Sequence, residues 1–312
     1  MDIKITFADF WPNFKHNDNY FYNLLSTKYN VILDNQDPDI LFFSVDYSKR
    51  RERNKYKDHR CKKVFFTGEN VRPNFEGADS IEYPRYSIGK CDIAFTFDYM
   101  SDERNYRFPL WAFYMDWFNK GYDPNRDPAY LVPVTDVTDF YDYSSRNPNN
   151  IPNLFCNFLF SNTSGERLNI LKTIQKYKDV HCAGRLMNNC QSIGGRGDQI
   201  EKINFISKFK FTIAAENSKH DGYTTEKMIH PMSVGSIPIY WGSDRVTEEF
   251  NEKAFVNANK LSGQELLNRI IEINEDDDLY QSMINEPVFP DNKIPEFVLP
   301  ESVLGFFERM IL

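Results

Sequence analysis

Residues 209–251 read FKFTIAAENSKHDGYTTEKMIHPMSVGSIPIYWGSDRVTEEFN, and this stretch decides the fold. Phe209–Ala215 is a short apolar run that breaks off at Glu216-Asn217, as a strand buried in a parallel sheet does where it meets its loop. A turn containing Asp221-Gly222 follows. Residues 225–234 have the pattern of a helix stopped by Gly235, and Ile237–Trp241 reads as a second strand. Strand, loop, helix and strand make the repeating unit of an α/β domain. Pro238 has no N–H to give to a ladder, which predicts that its strand lies at a sheet edge or begins at the proline.

The alternation continues outward from this stretch. Residues 154–160 and 180–183 read as strands, 164–177 and 199–205 as helices, with Ser164 placed as the N-cap of its helix. In the first half, residues 3–7, 31–33, 39–44, 63–66 and 93–97 are short apolar runs that suit buried strands. Residues 19–29 set Phe21, Leu24 and Leu25 at helical spacing. Between the halves, residues 119–153 are dense in Pro, Asn, Asp and Ser, as linkers are. A chain of 312 residues exceeds the usual single core. The boundary is therefore expected near Asn150, giving domains 1–150 and 151–312, with a ligand cleft between two α/β sheets.

Composition narrows the function classes. Hydrophobic residues at 41% and charged residues at 26% are ordinary for a globular chain. The 27 Phe and 18 Tyr are a rich aromatic supply, for cores and also for stacking on sugars. A net charge of −8 excludes a chain-wide nucleic-acid surface, so any anion must be held by a local cluster of cations and backbone N–H groups. The five Cys form no C-x-x-C pair and the five His are scattered, which supports neither a disulfide framework nor a His/Cys metal centre. The first residues, MDIKITFADFWPNF, lack the apolar core of a signal peptide or anchor, and no apolar window is long enough for a transmembrane segment. A cytoplasmic protein is expected, one able to meet membrane-linked substrates.

The chemistry concentrates after the strand 209–215. Thr225-Glu226-Lys227 opens a helix, whose first N–H groups and positive dipole end suit a diphosphate. Lys227 stands where that dipole disfavours a cation; either it is solvated or an anion lies beside it. Glu216 and Glu226 are candidates for accepting hydrogen bonds from vicinal hydroxyls, or they are a loop acid and a helix-start acid. Asn217 and Tyr223 read as turn residues.

These pieces resemble the donor-binding signature of glycosyltransferase family ten, the α-1,3-fucosyltransferases: F-x-x-x-x-E-N, then Gly-Tyr, then T-E-K, then P-x-Y-x-G. Here they stand as Phe211 with Glu216-Asn217, Gly222-Tyr223, Thr225-Glu226-Lys227, and Pro238 with Tyr240 and Gly242. A second segment, Phe65-Phe66-Thr67-Gly68-Glu69-Asn70 with Pro73-Asn74-Phe75, is similar to the F-x-T-G-E-N and P-N-F of the same family. Phe160-Ser161-Asn162-Thr163 with Arg167 is a third match, and Arg185 after the strand 180–183 a further candidate. The lack of an anchor and of paired cysteines makes the chain look like a bacterial-type member.

The resemblance implies a GT-B fold, two Rossmann-like domains facing across a cleft, the first holding the acceptor and the second GDP-β-L-fucose. It implies inverting transfer of L-fucose to a glycan acceptor such as N-acetyllactosamine, in glycan biosynthesis on protein or lipopolysaccharide O-antigen. Glu69 would be the general base. Arg167, Asn217, Tyr223, Glu226, Lys227, Glu216 and Arg185 would bind the donor, Glu216 also stabilising the oxocarbenium-like transition state. Cationic side chains would carry the charge of the leaving GDP, so no divalent metal is expected to be essential. Trp11 and residues 106–118 either line the acceptor side or belong to the core. The alternatives are transfer from another GDP-sugar, or a non-catalytic module that binds nucleotide-sugar or glycan.

Overall fold

A computed structural model describes residues 1–45, 52–71, 91–99, 101–121, 132–134, 137, 151–163, 165–193 and 199–312. The expected N-cap Ser164, the boundary near Asn150 and the Pro73-Asn74-Phe75 match lie outside these residues.

The chain divides into two compact units, residues 1–130 with 296–312, and residues 131–295. The first is built on a parallel sheet. Its strands are β1 (Asp2–Ala8), β2 (Asn30–Leu33), β3 (Ile40–Phe43), β4 (Lys62–Phe66), β5 (Ile93–Thr96) and β6 (Asn105–Arg107), in the order β2-β1-β3-β4-β5-β6. The runs read as strands from sequence alone are all present. β3 is buried along its length, whereas β2 at the edge is largely exposed, which explains why its apolar run is short. Helix α1 (Tyr20–Ser26) starts where Asn19 Oδ1 accepts from Tyr22 N. A short helix α2 (Leu110–Phe113) follows β6.

Phenylalanine fills this core. Phe21, Phe42, Phe66 and Phe95 are nearly fully buried, with Phe21 stacked on Phe42 at 5.0 Å and Phe66 on Phe113 at 4.7 Å between ring centres.

The second unit carries the sheet read from residues 209–251. Its strands are β7 (Leu154–Phe158), β8 (Val180–Cys182), β9 (Phe209–Ala215), β10 (Ile237–Trp241) and β11 (Val256–Asn257), all parallel, in the order β8-β7-β9-β10-β11. Helices α3 (Gly165–Ile174), α4 (Gln199–Ile206) and α5 (Glu226–Met232) connect them, and α6 (Gly263–Glu275) and α7 (Asp277–Ile284) follow.

Two expectations change. β10 is not an edge strand, since β11 lies outside it. β11 is two residues long and begins opposite Ile239, so Pro238 faces no partner residue on that side and its missing N–H costs nothing there. The second unit does not run to the C-terminus either: helix α8 (Pro300–Ile311) belongs to the first unit, where Phe307 stacks on Phe42 at 5.9 Å and Phe306 packs on Tyr106 at 4.7 Å. Amphipathic spacing in a terminal segment says that a face will be buried but not against which core. Among the described residues no helix is long and apolar enough to cross a membrane.

Candidate active site

In the first unit Glu69 follows β4, in the middle of the sheet, at the carboxyl edge where open α/β sheets place their ligands. Its turn is fixed by the Thr67 hydroxyl and by the backbone. Glu69 N donates to Thr67 Oγ1 at 2.9 Å, and Val71 N donates to Glu69 O at 2.7 Å. Glu69 is half-buried, so it has solvent access and partial desolvation together. Gly68 lies close to α2: a Cβ there would come within 2.7 Å of Leu110 Cδ1.

At the end of β1, Asp9 adopts a positive φ of 60° and accepts from Glu52 N at 2.7 Å and from Arg53 Nη1 at 3.0 Å. Sequence reasoning gave no role to this buried ion pair. In the aromatic stretch 106–118, Phe108, Trp111 and Phe113 are fully buried, whereas Tyr106, Tyr114, Trp117 and Phe118 are half-buried. Trp11 is half-buried and lies edge-on to Phe113 at 5.8 Å.

In the second unit the loop after β9 gathers a charged cluster. Glu216 has no exposed surface. Its Oε1 accepts from Thr225 N at 2.8 Å, both oxygens accept from Thr225 Oγ1, and Oε2 lies 3.1 Å from Lys227 Nζ. The expectation that Glu216 meets a hydroxyl or the reacting sugar therefore changes: its oxygens are taken up by the start of α5, and it acts from beneath. The same contacts modify the reading of the helix start, because Thr225 N is already bonded and Lys227 N is capped by Thr225 Oγ1. The anion that reconciles Lys227 with its first-turn position is, in this structure, Glu216.

Lys227 Nζ also donates to Thr225 Oγ1 at 2.9 Å and lies 3.7 Å from Glu226 Oε1. Lys202, from α4, stands at 3.7 Å from the same Glu226 oxygen. Burial alone lowers the Lys227 ammonium, but Glu216 and Glu226 outweigh it and raise its pKa. Burial alone raises the Glu226 carboxyl, but Lys227 and Lys202 hold it well below the usual carboxylate range. Lys227 and Glu226 each keep 16% of the side chain exposed, enough to touch a ligand. His230, one turn further along α5, is fully buried, and burial pushes its imidazole well below its ordinary pKa. Lys202 and His230 were not singled out from sequence. The i, i+4 spacing of Glu226 and His230 was the available signal.

Arg167 is 2% exposed. Its Nε and Nη2 donate to Ala215 O at 3.1 and 2.9 Å, Nη2 also donates to Asn217 Oδ1, and the guanidinium lies 4.1 Å from the Phe160 ring centre. It ties α3 to the end of β9 and holds the exposed Asn217. Arg185 differs: it is exposed at the carboxyl edge of β8, beside a glycine whose Cβ would strike Phe160 O at 2.4 Å.

Tyr223 is 2% exposed and sits under the loop. That loop is braced where Thr224 Oγ1 donates to the buried Glu249 at 2.8 Å and Gly222 N, at φ 82°, donates to Ser243 Oγ at 2.8 Å. Gly242 completes the floor: a Cβ would lie 2.5 Å from Tyr240 Oη and 2.7 Å from Glu216 Cγ. The structure thus brings Arg167, Glu216, Asn217, Glu226 and Lys227 together, with Arg185 two strands from β9. Among the described residues there is no group of three or more His, Cys, Asp or Glu that could hold a metal ion.

Two α/β units, each a parallel sheet with candidate polar residues at its carboxyl edge, make up the GT-B fold. Crystal structures of α1,3-fucosyltransferase (TM-score 0.73) and of α1,3-fucosyltransferase with GDP-fucose (TM-score 0.70) share the fold; each is 24% identical, covering 99% of this chain and 90% of the other. Residues 5–114 match the α-(1,3)-fucosyltransferase FucT N-terminal domain, and residues 154–285 the glycosyltransferase family 10 (fucosyltransferase) C-terminal domain. The chain belongs to glycosyltransferase family 10. It is 29% identical over 284 residues to the α-(1,3)-fucosyltransferase FucT of Helicobacter pylori, covering 82% of this chain and 53% of that protein. A putative fucosyltransferase, R654 of Acanthamoeba polyphaga mimivirus, is 33% identical over 153 residues, covering 46% of this chain and 25% of the relative. The chain thus spans about a quarter to a half of the length of these curated relatives.

Proposed function

We propose that this protein transfers L-fucose from GDP-β-L-fucose to a hydroxyl of an N-acetylglucosamine-containing glycan, with inversion to an α-1,3 linkage. Glu69 takes the proton of the acceptor hydroxyl, whose oxygen bonds to the anomeric carbon as the bond to GDP breaks. The leaving diphosphate gains negative charge, and Lys227 stabilises it.

The observation that carries this reading is Lys227, a partly exposed ammonium fixed by a buried carboxylate at the carboxyl edge of the second sheet. A preorganised charge of this kind needs no rearrangement when the leaving group develops its own. Glu226, kept ionised and partly exposed, is suited to the ribose hydroxyls of the nucleotide. Arg185 offers an exposed guanidinium for phosphate oxygens, and Asn217 is presented by Arg167. Tyr223 and Glu216 support the loop from below. The relative crystallised with GDP-fucose shares this fold, which favours the guanine nucleotide and fucose over other donors.

The test is a panel of GDP-sugars incubated with the protein and N-acetyllactosamine, with product mass and GDP release both recorded. A product heavier by one deoxyhexose, formed from GDP-fucose alone, is expected. Transfer of a different sugar replaces the donor assignment, and binding without transfer makes the chain a non-catalytic module.

A further inference from the structure

The charge of this chain is unevenly spread. Residues 49–63, KRRERNKYKDHRCKK, hold nine Lys and Arg against two acidic residues, whereas the whole chain carries −8. The run is described from Glu52 onward, as a 3-10 turn (Glu52–Tyr56), a loop, and the start of β4. Two of its cations are used internally. Arg53 pairs with Asp9 beneath the sheet edge, and Lys63 Nζ donates to His59 O at 3.1 Å. Four others, Lys55, Lys57, Arg60 and Lys62, are exposed, and none is paired with a carboxylate among the described residues.

These four are displayed on a fixed loop. Tyr56 is buried and its Oη donates to Asn35 O at 3.0 Å; Lys57 N donates to Asn54 O at 3.2 Å and His59 N to Tyr56 O at 3.1 Å. The buried Cys61 donates its N–H to His59 Nδ1 at 3.1 Å. The bordering acids are the exposed Asp58, Asp37, Asp39 and Asp92: Asp37 faces His59 Nε2 at 3.4 Å, Lys62 N donates to Asp39 O at 2.9 Å, and Asp92 Oδ2 accepts from Lys63 N at 2.7 Å. The backbone that carries them is fixed, and four cations without a paired carboxylate among the described residues give this part of an acidic protein a local concentration of positive charge.

We propose that the loop carrying Lys55, Lys57, Arg60 and Lys62 docks the protein on a membrane surface of anionic lipid headgroups. Charge complementarity decides the class of partner. A cluster of four or more exposed cations binds an anionic leaflet through delocalised attraction alone, each contributing about fivefold in affinity. Single-stranded nucleic acid would call for exposed aromatic faces between the cations. The one aromatic of the described run, Tyr56, is 7% exposed and belongs to the core. With no large apolar side chain of this loop exposed, nothing inserts into the bilayer, and attachment is reversible and salt-sensitive. The run starts against Asp9 at the carboxyl end of β1 and reaches the amino end of β4, where Arg60 and Lys62 stand, while Glu69 follows the carboxyl end of β4. This inference does not depend on the transferase reading.

The experiment is co-sedimentation of the full chain with vesicles of phosphatidylcholine alone or mixed with phosphatidylglycerol, at low and high salt. Binding to the anionic vesicles only, with release by salt, is expected. Lys55→Glu, Lys57→Glu, Arg60→Glu and Lys62→Glu combined should lower that binding more than tenfold. The same charge change at four exposed lysines elsewhere, Lys172, Lys176, Lys208 and Lys253, should leave most of it. If the first combination fails to fold by circular dichroism, Lys55→Gln with Lys57→Gln should still weaken binding severalfold. Equal binding to neutral vesicles, equal loss in the two charge-reversed sets, or tighter binding of a single-stranded polynucleotide than of vesicles overturns the proposal.

Discussion

Lys227 occupies the first turn of a helix, where the dipole disfavours a cation, and Glu216 compensates for it at 3.1 Å. Replacing it by alanine should weaken GDP binding at least tenfold by calorimetry while leaving Glu216 buried and short of one charged partner. An unchanged Kd would make Lys227 a purely structural lysine. Gly242 tests the floor of the same cluster. Gly242→Ala forces a methyl group against Tyr240 Oη and Glu216 Cγ, both fully buried, and overpacking of this kind costs about 1–3 kcal/mol. A lowered Tm together with weaker GDP binding is expected; wild-type values for both would show that the floor yields without consequence. At this scale the sequence was partly legible. The tension at Lys227 could be read from its place in the helix. The source of its relief could not, because Glu216 lies eleven positions earlier and only the loop geometry brings it under the helix start.

At the scale of elements, α5 joins a capped start, a buried imidazole and a proline within a few residues. Thr225 caps it, Pro231 stands inside it, and Gly235, at φ 71°, follows its end. The helix read as residues 225–234 closes at Met232, two residues earlier, where Val234 N and Gly235 N turn to Pro231 O and Met232 O, three residues back, instead of continuing the i→i−4 ladder. His230 gives this element a pH signature. Its pKa in the fold is depressed well below that in the unfolded chain, so near pH 6 the unfolded state binds more protons. Its stabilising contribution is complete above about pH 6.5 and is lost as the pH falls toward the depressed value. Thermal melts should therefore show stability falling from pH 7.5 to 5, by at most about 1.4 kcal/mol per pH unit from this group. His230→Asn should flatten that slope, and an unaltered slope would mean that other groups carry it. The strands were the most legible elements, because short apolar runs ending in polar residues have little else to be. Pro238 misled about the edge because a proline reports a missing partner at one position, and a two-residue neighbour satisfies that without making the strand an edge.

At the scale of the molecule, two parallel α/β units follow from the repeated strand and helix pattern, but the return of α8 to the first unit does not. Phe307 is 1% exposed and stacked on Phe42, so Phe307→Ala should cost about 3–5 kcal/mol, read as loss of thermal stability of the first unit. A variant with unchanged melting would remove α8 from that core. Family 10 membership and the GT-B fold agree with the motifs at Glu69 and at residues 216–227, and the assignment of roles rests on the chemistry of those residues. The measurement that tests the account most directly separates binding from turnover in Glu69→Gln. With GDP-fucose and N-acetyllactosamine, the variant should bind GDP-fucose with a Kd near that of the wild type while kcat falls by about 10²-fold or more. Transfer at the wild-type rate by Glu69→Gln, or no fucose transfer by the wild type, would contradict it.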